Sequence, residues 1–214
     1  MAVWTISAQA GTGGEDVAGR LAVAAGVPLL DRKTLAFFAH QLNPRVEDGE
    51  ELEARVGGTL NLAALSIAMT TGSEDAFREF QLRQTLPELG RAVLADAAHR
   101  PCVILAPAAF AALPDHPFAI HVRLRAPLDW RIRTYQREHL VDRRCAEKAR
   151  KHDDRVKHAW VKTLYHVDVD DPGLFSIVLD ASRMPTDRLV EILLAASGVP
   201  AVDANPGLGP VPCR

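Results

Sequence analysis

The chain has 214 residues, 48% hydrophobic and 24% charged, with a net charge of -2 and a pI near 6.4. That length favours one domain, or one domain plus a small subdomain, and a charge so close to zero removes the bulk basic field that a nucleic-acid polymer would need. No apolar run approaches the ~20 residues that cross a bilayer, and Met1 to Ser7 lacks the segments of a secretory leader, so a cytoplasmic protein without a membrane partner is expected. The cysteines, Cys102, Cys145 and Cys213, are odd in number and unrelated in spacing, which reads as reduced thiols rather than a disulfide framework or a zinc site.

Val3-Trp4-Thr5-Ile6-Ser7 is a short β-prone run leading almost at once into Gly11-Thr12-Gly13-Gly14. Glu15 to Ala25 follows, with Val17, Ala18, Leu21, Ala22 and Ala25 at helical spacing and Gly26 placed to cap it. Val27-Pro28-Leu29-Leu30 predicts a second strand, ended by Asp31, so the opening is a β-α-β unit. From Lys33 to His99 the pattern is mostly helical, broken near Asn43-Pro44, Gly57-Gly58 and Thr71-Gly72-Ser73. Ser73-Glu74-Asp75 suits the entry to a long helix over Ala76 to Ala98, which Pro87 would kink.

Cys102 to Ala106, Phe118 to Leu124 and Phe175 to Leu179 are three more short runs of the kind that buried parallel strands show. Five strands separated by helices predict an α/β three-layer sandwich with a five-stranded parallel sheet. Residues 1–197 form this domain, and 198–214, rich in Pro and Gly, reads as a flexible tail.

The glycine cluster carries the first chemical signal. A strand, a glycine turn and a helix N-terminus aim backbone N–H groups at one point, which makes an anion site. A full phosphate loop would read G-x-x-x-x-G-K-[ST]. Here Ala8 stands at the first Gly, Gly14 at the Lys and Glu15 at the Ser/Thr. Taken alone, the stretch is equally a tight turn that needs glycine for geometry. Asp31 ends a strand where ligands gather in open α/β sheets, and it is also a good helix N-cap. Between Arg123 and Arg155 the chain is strongly basic. Arg131, Arg133, Arg137, Asp154, Arg155 and Lys157 are either phosphate-binding groups on a helical lid over about 127–165 or parts of a solvated helix face. No His/Cys/Asp set shows metal-ligand spacing.

Several of these pieces fall in a familiar order. Ile6-Ser7, Gln9, Gly11-Thr12-Gly13-Gly14, Leu21-Ala22 and Leu29-Leu30-Asp31 open the chain; His121-Val122-Arg123-Leu124-Arg125-Ala126-Pro127-Leu128 with Arg131 comes later. Asp154, Lys157, Trp160 and Val167-Asp168-Val169-Asp170-Asp171-Pro172 complete the set. Together they resemble the cytidylate-kinase-like family, whose opening also lacks the phosphate-loop lysine.

The resemblance implies a P-loop kinase fold and ATP-dependent transfer of a γ-phosphoryl group to a nucleoside monophosphate, CMP or dCMP, with Mg²⁺. It assigns Ser7, Gln9, Gly11, Thr12, Gly13 and Gly14 to ATP phosphates, and Asp31 and Arg131 to catalysis. Arg133, Arg137, Asp154, Arg155 and Lys157 fall to the lid. Several positions depart from the pattern, Lys157 among them, where the family's lid has arginine. Ala8 and Glu15 stand where the family has arginine, and Ala106-Pro107 replaces its Gly-Arg pair. Lost cations there leave open a nucleotide-binding relative without turnover, and fold does not fix the acceptor, so a kinase for another small molecule is the other alternative. The stretch from Lys33 to His99 would supply an acceptor-binding cap or a homodimer interface.

Overall fold

The structure is a computed structural model that describes residues 1–31, 91, 94–95 and 98–198. The expected helices between Lys33 and Arg100 lie almost wholly outside those residues. So do the kink at Pro87, Cys213 and the tail beyond Gly198.

The described chain runs β1 (Val3–Ala8), α1 (Gly14–Ala25), β2 (Leu29–Leu30), β3 (Cys102–Leu105) and α2 (Ala109–Ala112). It continues through β4 (Ala119–Arg125), α3 (Leu128–His139), α4 (Arg143–Tyr165), a 3-10 turn (Pro172–Leu174), β5 (Ile177–Asp180) and α5 (Thr186–Ser197). The strands form one sheet in the order β2-β3-β1-β4-β5, and every pair is parallel. All five expected strands are present within a residue or two of their predicted ends. The second is shorter than expected and pairs only at Leu29 and Leu30, because Pro28 has no N–H to donate. Its carbonyl still accepts from Val103 N at 3.0 Å.

Side-chain alternation sends successive residues of β1 to opposite faces of the sheet. Trp4 and Ile6 join Val122 and Leu124 against Val17, Leu21, Leu189 and Leu193 of α1 and α5. Val3 and Ile104 turn the other way, toward Ala109 and Leu113, and Tyr165 of α4 packs against that cluster. Both faces are covered, which is why the central strands read as continuous apolar runs. The indole N–H of fully buried Trp4 donates to the Leu193 carbonyl at 3.1 Å and ties the central strand to the last helix.

Gly26, left-handed at φ 65°, ends α1 as the sequence predicts. Asp142 caps α4 by accepting from Cys145 N. Among the described residues Cys102 is buried and Cys145 exposed, and burial pushes the Cys102 thiol up to about 11, which makes it unreactive. No helix among the described residues is long and apolar enough to cross a membrane.

Replacing Trp4 by Phe would keep most of the apolar volume and leave the Leu193 carbonyl without its donor. The expected cost is about 2 kcal/mol, read from the midpoint of urea unfolding with the slope unchanged.

Candidate functional site

The site begins where β1 runs out. Gln9 N donates to Leu124 O at 3.1 Å, and Gln9 Oε1 accepts from Ala126 N at 3.3 Å, so the loop entry is fastened to the end of β4. Thr12 folds the turn back on the Gln9 carbonyl through both its N–H, at 3.2 Å, and its hydroxyl, at 2.7 Å. Gly11 and Gly13 are left-handed, at φ 79° and 71°, and Gly13 is the N-cap of α1. The result is a turn of backbone at a helix N-terminus, where N–H groups and the helix dipole favour an anion.

Two glycines have specific steric reasons. A Cβ on Gly11 would stand 2.3 Å from the Arg131 carbonyl oxygen, so α3 packs backbone to backbone on the loop. A Cβ on Gly14 would stand 2.5 Å from the Ala8 Cβ. The first and seventh positions of the loop therefore share one space. With Ala at 8, nothing larger than Gly fits at 14 unless the backbone shifts.

α4 crosses the loop and holds it with charge. Asp154 Oδ1 accepts from Ala10 N at 2.8 Å. Its Oδ2 accepts from Arg131 Nη1 at 2.6 Å and Arg150 Nη1 at 2.8 Å. One turn further along, Lys157 Nζ donates to the Ala8 carbonyl at 3.2 Å. Arg131 is buried and also donates through Nε to Ala126 O at 3.1 Å. Arg150 is equally buried, and its Nε has no hydrogen-bond partner.

The structure brings Gln9, Gly11, Thr12, Gly13, Gly14, Arg131, Asp154 and Lys157 together. Ser7 lies lower, on the sheet face, where its hydroxyl accepts from Arg123 Nη1 at 3.0 Å. Arg133, Arg137 and Arg155 are exposed, and Arg155 Nη2 meets His152 Nδ1 at 3.3 Å. Asp31 follows Leu30, which pairs with Ile104, itself paired with Thr5. It thus sits at the loop end of the sheet, two strands from β1.

Arg150 is a site residue that the sequence reading passed over, although its i,i+4 spacing to Asp154 was a signal. Arg123 is another. It is buried on β4, bonded to Ser7 and salt-bridged to Asp170 at 2.8 Å. With Gln9, Arg125 and Phe175, this pair lines a cavity of ≈ 170 Å³.

His158, Asp168 and Asp170 also converge, each with a ligand atom within 4.8 Å of the others. Their spacing in the sequence does not announce it. Arg123 already supplies Asp170 with a positive charge, so the set reads as an ion-pair cluster.

The model of the cytidylate kinase-like family matches residues 3–183. The chain belongs to the cytidylate kinase-like family. No curated protein matches it. An uncharacterized protein from Eubacterium ventriosum is similar in structure, at 15% identity over 92% of this chain and 99% of that one, with a TM-score of 0.67. A shikimate kinase from Bacteroides thetaiotaomicron aligns at 14% identity over 91% and 97% of the two chains, with a TM-score of 0.47. A gluconokinase from Sinorhizobium meliloti aligns at 13% over 92% and 91%, with a TM-score of 0.46. The expected α/β fold with a five-stranded parallel sheet is observed, in a kinase-like family.

Acidic groups also surround the cytidylate kinase-like loop. Glu138 Oε1 lies 3.8 Å from where a Gly13 Cβ would stand, and Glu15 and Asp16 occupy the first turn of α1. Partial desolvation lifts the Glu138 carboxyl above its ordinary range; His139 and Arg137 oppose the shift, and Glu15 and Asp16 add to it. A carboxyl raised on folding contributes stability below its unfolded pKa and loses it as the pH rises through the folded value. Glu138→Gln should therefore melt higher than the parent at pH 7 and level with it at pH 3, which a pair of thermal scans decides.

Asp154→Ala would strand two buried guanidinium groups and the Ala10 N–H together. A loss of about 3 kcal/mol in unfolding free energy is expected, from denaturant titration.

Proposed function

We propose that this protein is an ATP-dependent phosphotransferase that moves the γ-phosphoryl group of ATP to a nucleoside monophosphate, CMP or dCMP foremost. The supporting observation is the loop itself. Two left-handed glycines, an N-terminal helix end and two cationic side chains, Arg131 and Lys157, surround one short stretch of backbone. Phosphoryl transfer asks a protein for little covalent chemistry and much positioning and charge neutralisation. Backbone N–H groups of Gly11, Thr12, Gly13 and Gly14 hold the donor phosphates in this reading. Gln9 braces the loop, and Asp31 orients the acceptor from the end of β2. Arg133, Arg137 and Arg155, exposed on α3 and α4, the helical lid, supply positive charge to the transferring group in this reading.

Mg²⁺ prefers oxygen ligands and retains several waters. The carboxylates of Asp31, which follows β2, and of Glu15, in the first turn of α1, are the oxygen donors that would suit it. When bound, the ion neutralises charge on the phosphate oxygens.

One observation favours a second reading, a nucleotide-binding protein with little turnover. Arg131 is buried and committed to Asp154 and the Ala126 carbonyl, while Ala8 and Glu15 stand where the family pattern has arginine. Missing one preorganised cation lowers such a rate by roughly 10²–10³-fold.

The deciding assay follows ADP production with ATP, Mg²⁺ and each nucleoside monophosphate, with small alcohols as a further acceptor panel and Gly13→Asp as control. Turnover with CMP that the control loses is expected. No turnover with any acceptor, while ATP still raises the melting temperature, would move the protein to the second reading.

A further inference from the structure

Beside the glycine loop lies a cavity that the phosphate chemistry above leaves unused. It measures ≈ 170 Å³ and is bounded by the end of β4, by β5 and by the segment around the 3-10 turn. A cavity of about 150 Å³ holds one benzene ring, whereas sites for larger ligands run to roughly 300–1,000 Å³. The space here therefore fits a single six-membered ring. One side of it is apolar. Phe175 is backed by Phe110, with ring centroids 4.5 Å apart, so that wall is braced. Val178, 37% exposed on the edge strand β5, and Pro172, at the start of the 3-10 turn, complete it. A ring laid there removes their surface from water.

The other side is polar, and its charges do not cancel. Asp170 is answered by Arg123 at 2.8 Å, and His158 Nε2 stands 3.3 Å from its second oxygen. Arg125 is exposed, and among the described residues no hydrogen bond or salt bridge engages its guanidinium. Asp180, its register partner on β5, already accepts from Ser182 N at 2.9 Å and Ser182 Oγ at 2.6 Å. Gln9 spends its Oε1 on Ala126 N, which leaves its Nε2 as a donor. The cavity thus offers one uncommitted cation and one amide donor opposite an apolar wall.

We propose that this cavity binds a small ring carboxylic acid, with the ring against Phe175, Pro172 and Val178 and the carboxylate on Arg125. A guanidinium fork meets a carboxylate through two parallel N–H bonds. A single positive charge also matches a monoanion, whereas a phosphate dianion would leave one charge unanswered. The site adjoins the glycine loop through Gln9 without using the loop's N–H groups, so it goes beyond the nucleotide reading and does not depend on it.

Benzoate is the probe, titrated against the full chain and followed by saturation-transfer NMR. Its expected Kd is on the order of 1 mM, as befits so small a ligand. Acetate lacks the ring and benzyl alcohol lacks the charge; each should bind about 10-fold more weakly. Arg125→Gln should weaken benzoate about 10-fold and leave benzyl alcohol unchanged. Val178→Glu, which sets a carboxylate on the apolar wall, should abolish benzoate binding. Both substitutions fall at exposed positions, and an unchanged melting temperature confirms that the variants fold. No saturation transfer to benzoate at about 10 mM, or equal binding by the parent and Arg125→Gln, would overturn the proposal. Displacement of benzoate by CMP at equal concentration would also overturn it, by giving the cavity to a nucleobase.

Discussion

The carboxylate of Asp154 organises this end of the molecule. One oxygen takes the N–H of Ala10, and the other is shared by Arg131 and Arg150. It therefore joins the glycine loop, α3 and α4. Two guanidinium groups about nine-tenths out of water are tolerable only because that charge lies between them. The same contact sets the position of Lys157 one turn away, and Arg131 in turn sets the loop, since its carbonyl occupies the space beside Gly11. The loop's shape is thus decided as much by what packs on it from outside as by its own glycines.

That dependence explains which parts of the molecule are legible in the sequence. Strands such as Cys102–Leu105 are readable because both faces are buried and every residue is apolar, a local property of the string. The strand, glycine turn and helix at the start are readable for the same reason. The purpose of each glycine is not. Gly11 answers to a carbonyl on α3 and Gly14 to a methyl group on β1; neither partner can be guessed from a glycine-rich turn. Arg123 is similarly opaque. In a basic stretch it looks like one more surface cation, but strand alternation buries it beside Ser7 and Asp170. Ser7, which motif order assigns to phosphate, is drawn by that contact into the sheet.

The distribution of charge around the loop is mixed rather than uniformly positive. Glu15, Asp16 and Glu138 lie on one side, and Arg131, Arg150 and Lys157 come from the other, with Asp154 between. An anion entering such a site meets cations from α3 and α4 and carboxylates from α1 and α3, so orientation as well as attraction is built into the approach.

The central strand has a consequence for synthesis. β1 forms hydrogen bonds on both edges, yet Val3 pairs with Cys102 and Ala119, 99 and 116 residues later by subtraction. At roughly 5–20 residues per second, the ribosome finishes β1 about 5–20 s before its nearest neighbour exists. Through that interval an apolar segment that will become the middle of the sheet has both edges open, and a nascent chain in that condition is a natural client for chaperones that hold extended apolar peptide.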